Sequence, residues 1–169
     1  MTGWIVAAGI YFLYQSHLAD DRLTGPGSIV QCGHPNGDVA LITYPDDWDQ
    51  QFAADPAIME IDWSTGLERD GEIHLPDGRI MIDAVPLAPP RPAYPAWAMA
   101  TATEGICEIK FTVLSSGTAG NIRAACSNPI FIQPARNAVA ASRFKPRTLD
   151  GTPYDRHNVV YPMQFCLSS

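Results

Sequence analysis

From Glu104 to Ser127 the chain alternates apolar and polar positions on both sides of a Ser116-Gly117 junction, as two strands joined by a turn would. Residues paired across a hairpin have numbers of constant sum, and here that sum is 233. Ile109 is thereby set opposite Ala124, Phe111 opposite Ile122 and Cys107 opposite Cys126. Glu108, Lys110, Thr112, Asn121 and Arg123 fall on the other face, so one face is expected to be apolar and the other wet. The following stretch changes period. Phe131, Ala135, Ala138, Val139 and Ser142 recur at helical spacing behind Asn128 as N-cap and Pro129 at the first turn, with Pro134 confining the regular helix to a start near it. A last strand is read over Asn158 to Leu167, and a short helical approach over residues 94–102.

The first half is punctuated by turn residues. Ile29 to Cys32 and Val39 to Tyr44 read as strands around Pro35-Asn36-Gly37, and Met59, Ile61 and Trp63 alternate with Glu60 and Asp62 as in a half-buried strand. Asp46 or Asp47 opens a short helical turn closed by Pro56. Asp77-Gly78 predicts a type I′ hairpin of sum 155, with Ile73 opposite Ile82 and Leu75 opposite Ile80. Pro86, Pro89, Pro90, Pro92 and Pro95 then make a stiff, extended connection. The fold class is therefore α+β: a strand, strand, helix, strand module with a short leading helix, preceded by a mostly-β module.

Charge separates the same two parts. Residues 1–88 carry 3 basic and 14 acidic side chains, whereas residues 89–169 carry 8 and 4, giving −11 against +4. Such asymmetry points to two modules that attract each other, or to a basic face meant for an acidic partner. Arg143, Lys145, Arg147 and Arg156 are the residues that would form that face. The alternative is an ordinary solvated surface. Eight dispersed basic residues without flanking aromatics do not make a nucleic-acid surface. The apolar run from Gly3 to Tyr14 is of the length of a signal core, shorter than a spanning helix, and lacks a preceding basic residue; a membrane anchor or uncleaved signal and a core element both remain open.

Little in the chain suggests catalysis. It has no Gly-rich phosphate loop, GxSxG elbow, CxxC pair or HExxH run, and no enzyme, cofactor or metal is expected. Cys32, His34 and Asp38 surround a turn, Asp46, Asp47 and Asp49 suit a solvated helix start, and neither set has metal-site spacing. His74 reads as a surface residue, and Trp48, Trp63 and Trp97 as core or domain-contact aromatics. Cys107 and Cys126 lie close enough across their strands to bond, which the register favours over two buried thiols and which implies an oxidising compartment. Cys32 and Cys166 are read as buried thiols in preference to a second, interdomain bridge.

Tyr94-Pro95 with Ala98, Glu104-Gly105, Lys110-Phe111-Thr112-Val113, Gly117, Ser127 with Pro129 and Phe131, Ala135 and Ala138, Arg143-Phe144 with Pro146, Gly151 with Pro153, and Phe165 with Leu167 follow one another in a familiar order. Over residues 94–169 the chain resembles the C-terminal domain of the TonB family of energy transducers. The resemblance implies a three-stranded antiparallel sheet with helices on one face, located in the periplasm. It also implies that the last strand's edge takes up the TonB box of an outer-membrane transporter as an added strand, coupling inner-membrane energy to transport. Carried onto this chain, the docking edge is Asn158, Val159, Val160, Tyr161, Met163 and Gln164, interrupted by Pro162, which lacks a donor. A variant with a cysteine pair on the first two strands, as at Cys107 and Cys126, also occurs in that family. The chain departs from the pattern in its short Pro-rich stretch and in its acidic β module. The expected organisation is an apolar segment over 1–19, an acidic β module over 20–85, a linker over 86–93 and the TonB-like domain over 94–169. A second reading makes the protein a non-transducing envelope adaptor whose edge is covered by its own N-terminal module.

Overall fold

The computed structural model describes residues 5–7, 10–12, 29–33, 39–43, 67–69 and 71–167. The expected strand over Met59 to Trp63, the helical turn after Asp46, and His17 and His34 lie outside the described residues. The architecture is α+β, with every described strand pair antiparallel.

At its centre is a three-stranded sheet formed by β9 (Gly105–Val113), β10 (Ala119–Cys126) and β14 (Arg156–Phe165), in the order β10-β9-β14. One face carries Cys107, Ile109, Phe111, Val113, Cys126, Met163 and Phe165, which pack with Ala98 of helix α1 (Ala96–Ala100) and with Ala135, Ala138 and Val139 of helix α2 (Ile132–Ala141). Fully burying a large apolar side chain is worth roughly 1.5–3 kcal/mol, so this layer supplies most of what holds the helices down. Asn128 caps the 3₁₀ turn Pro129–Phe131 that leads into α2, its Oδ1 accepting from Ile130 N at 3.1 Å. Pro134 falls in the first turn of α2, where its missing N–H costs no intrahelical bond. Tyr94, Phe131 and Phe165 form an aromatic cluster at the end of the sheet, Phe131 stacked on Phe165 at 4.3 Å and Tyr94 edge-on to both. Gly105 makes the approach possible: a Cβ there would lie 2.5 Å from Phe131 Cε2.

Several registers differ from expectation, for one reason. The turn after β9 is not the two-residue Ser116-Gly117 loop. Gly117 N donates to Leu114 O and Leu114 N to Thr118 O, which leaves a three-residue loop closed by Gly117 at φ +80°. Ala119 therefore pairs with Val113, one residue out of the expected register, until Asn121, at φ +51°, inserts a bulge and restores it. Cys126 pairs with Cys107 as expected, but Ile122 is not in simple register with Phe111. The Asp77-Gly78 turn shows the same substitution. Only Gly78 has positive φ, whereas type I′ needs two such residues, and the loop is Pro76-Asp77-Gly78. Strands β6 (Glu72–His74) and β7 (Ile80–Ile82) thus pair Ile73 with Met81 and His74 with Ile80. Met81 becomes fully buried and Ile80 exposed, because a slip of one residue exchanges the faces. At Asp150-Gly151 both residues do have positive φ, and the two-residue turn joins β12 (Arg147–Leu149) to β13 (Thr152–Tyr154).

These short strands build a second sheet, β13-β12-β7-β6-β5, with β5 at Leu67–Arg69. Strands from both sides of residues 86–93 share it. The two-residue strands β8 (Val85–Pro86) and β11 (Phe144–Lys145) pair across the same stretch, and Leu87 N donates to Arg143 O. The expected wet face of β9 is buried as well: Ile106, Glu108 and Thr112 are shielded, as is Ala125 opposite Glu108 on β10, and Glu108 and Lys110 both have partners.

Nearer the N-terminus, β1 (Ile5–Ala7) pairs with β2 (Ile10–Phe12), and β3 (Ile29–Gly33) with β4 (Val39–Thr43), each as a separate two-stranded sheet. The apolar run thus contains paired strands, and among the described residues no helix is long and apolar enough to cross a membrane. Strand β2 comes against β14 without joining its ladder. Two disulfides are present. Cys107 and Cys126 bond across the central sheet, and Cys32 of β3 bonds Cys166, the residue that follows β14. The second bond corrects the reading of Cys32 and Cys166 as separate thiols; their Cα atoms stand 5.4 Å apart, within bridging range.

Candidate functional site

An edge strand carries unsatisfied main-chain groups on one side only, so the site is defined by which residues of β14 face outward. Ile106 settles this. Its N–H donates to Ser127 Oγ at 3.1 Å and its C=O accepts from Ser127 N at 2.9 Å, so its main chain faces β10. Main-chain directions alternate along β9; Cys107 and Ile109 therefore face β14, where they are opposite Met163 and Tyr161. The cysteine pair agrees, since a Cα separation of 4.0 Å suits a pair that exchanges no ladder hydrogen bonds. Val160, Pro162 and Gln164, opposite Lys110, Glu108 and Ile106, consequently direct their main-chain groups away from the sheet.

Of the residues expected to dock a peptide, the structure gives Val160 and Gln164 outward main-chain groups, and turns those of Val159, Tyr161 and Met163 inward to β9. Asn158 lies at φ +54° within the register shift between Arg156 and Val159, a bulge that ends the regular ladder. Pro162, which interrupts the expected edge, sits in an outward position, where its missing N–H removes nothing from the pairing with β9. Val160 and Pro162 are exposed, and Met163 is buried in the core. The far end of the strand is fastened by Leu167 N, which donates to Glu104 Oε1 at 2.7 Å, and by the bond from Cys166 to Cys32. Tyr94 braces the same end. Its hydroxyl donates to Thr103 O at 2.6 Å, and burial, reinforced by the charge of Glu104, pushes its pKa up to about 12.

The four basic residues do not assemble into one surface. Arg143 and Lys145 are exposed, whereas Arg147 is fully buried and donates from Nε to Asp83 Oδ1 at 2.8 Å. Arg156 lies 3.3 Å from the same carboxylate, and Tyr154 stacks 5.9 Å from the Arg147 guanidinium. Burial pushes the Asp83 carboxyl up, but the hydrogen bond and charge of Arg147, then Arg156, then the Ala84 N–H, outweigh it and hold the group below its ordinary value. Two of the four cations thus bind an acidic residue from the first half of the chain. Among the described residues no group of histidine, cysteine and acidic side chains is placed to hold a metal. A groove of about 360 Å³ runs between Arg91, Tyr94 and Pro95 and the Gln133 to Ala141 side of α2. Local sequence pattern does not reveal it, because it is formed by an extended stretch crossing a helix.

Comparison with known proteins places this geometry. No curated protein matches the chain. Residues 90–167 match the family described as Gram-negative bacterial TonB protein C-terminal, a span that holds the central sheet and both helices. Residues 90–167 of this chain therefore match the TonB C-terminal domain family, over the span that the sequence resemblance also covers.

Proposed function

We propose that this protein is a periplasmic binding protein that takes up an extended segment of an outer-membrane transporter as an added strand on β14. The observation that carries the reading is the outward row at Val160, Pro162 and Gln164, on the terminal strand of a TonB C-terminal domain. A guest strand satisfies those groups and gains affinity from the main chain, while alternating side chains supply selectivity. Its cellular role is to couple inner-membrane energy to transport through the docked segment. Binding of synthetic N-terminal transporter peptides to the purified full chain tests this by fluorescence anisotropy. Val160→Pro removes an outward donor and leaves the β9 ladder intact, so affinity should fall at least ten-fold. Absence of binding by the wild type, or equal binding by the variant, rejects the proposal.

One observation favours a second reading, in which the protein is a non-transducing envelope adaptor. Strand β2 comes against β14, and Cys32 ties β3 to its end. Amide exchange separates the two. Under the first reading the Val160 and Gln164 amides exchange rapidly in the free chain and slow when peptide is added; under the second they are already slow.

A further inference from the structure

The outward row of β14 is not uniform. Val160 and Gln164 each present an N–H and a C=O, whereas Pro162 between them presents a C=O alone. Whichever way a guest strand runs, its ladder therefore has three guest N–H groups, at alternating positions, donating to the carbonyls of 160, 162 and 164. Only two guest carbonyls find donors, those of 160 and 164. One guest carbonyl between them is left to water, which the exposure of Pro162 allows.

We infer that Pro162 sets the strength of docking: it divides the docking edge into two gripping points, and leaves one guest carbonyl between them without a donor. The inference rests on the strand-addition reading above. Proline or an N-alkylated residue is excluded from those three guest positions and accepted at the two between them, whose N–H groups face away. The residue also caps affinity, because the ladder is one bond short at its middle.

Two measurements on the full chain test this, with a transporter N-terminal peptide that the wild type binds as the probe. Pro162→Ala supplies the missing donor without touching the core, and a net hydrogen bond of ordinary strength should tighten binding about five-fold. A scan of N-methyl groups along the peptide against the wild-type chain should weaken binding at three alternating positions and leave the two intervening ones unchanged. If Val160→Pro abolishes binding while Pro162→Ala leaves it unchanged or weaker, the role given to Pro162 is wrong and strand addition stands. A methyl scan without period two also overturns the inference. If Val160→Pro has no effect, strand addition itself fails, and the role of Pro162 with it.

Discussion

Arg147 is a fully buried cation, and its partner Asp83 reaches it from the other side of the Pro-rich stretch. One of its terminal nitrogens, Nη2, has no hydrogen-bond partner among the described residues, and Asp83 and the Tyr154 ring compensate part of the buried charge. Removing one member of a fully buried pair costs 3–5 kcal/mol, because the remaining charge is stranded. Asp83 is 38% exposed, and water screens part of that cost. Asp83→Asn should therefore lower stability by about 2 kcal/mol at neutral pH, read from urea unfolding. The folded pKa of Asp83 lies below its ordinary value, so its contribution is complete above roughly pH 4 and disappears as pH falls through the folded value. The gap between wild type and variant should close in that acid range, and a gap constant with pH would show that the charge of Asp83 does not matter.

At the level of elements, sequence pattern was sufficient wherever a period persisted. The apolar stripe of α2, the cap at Asn128 and the partnership of Cys107 with Cys126 all follow from spacing that holds over eight or more residues. Turn geometry was less legible, since one glycine serves two loop lengths. Gly78 and Gly117 each close a three-residue loop, and only at Asp150-Gly151 does the preceding residue also adopt positive φ. The cysteine register survived that error because the bulge at Asn121 cancels it; the β6–β7 register has no such bulge and slipped. Strands β8, β11, β12 and β13 are two or three residues long, too short to show any period, and the pairing of β7 with β12 spans more than sixty residues that local pattern does not see. The last strand was readable but the direction of its main-chain groups was not, because that depends on the register with β9. The β6–β7 register can be checked directly. Met81→Ala should cost about 2–4 kcal/mol and Ile80→Ala under about 1, by chemical denaturation, and the reverse order would restore the two-residue turn.

For the whole molecule, the controlling fact is that all four cysteines of the chain are bonded, two within the central sheet and two across its length. Paired cysteines persist in oxidising compartments, in accord with a periplasmic domain. The two bonds are not equivalent. Cys107–Cys126 closes a separation of 19 residues already held by a strand pair, whereas Cys32–Cys166 closes 134 and encloses the Pro-rich stretch and most of the TonB C-terminal domain. Load applied before residue 32 would pass through that bond to the end of β14 without extending the intervening chain, so the reach of residues 86–93 does not limit such a path. Loop-closure entropy removed from the unfolded chain amounts to roughly 3 kcal/mol for the short closure and roughly 5 kcal/mol for the long one. Replacing Cys32 and Cys166 together by serine should thus lower stability more than replacing Cys107 and Cys126, as read from urea midpoints under non-reducing conditions. A peptide map without reductant should recover Cys32 and Cys166 on one cross-linked fragment. If the long-range pair can be replaced without any loss of stability, or its peptides separate without reductant, β3 is not fastened to the end of β14 and load could not pass through Cys166.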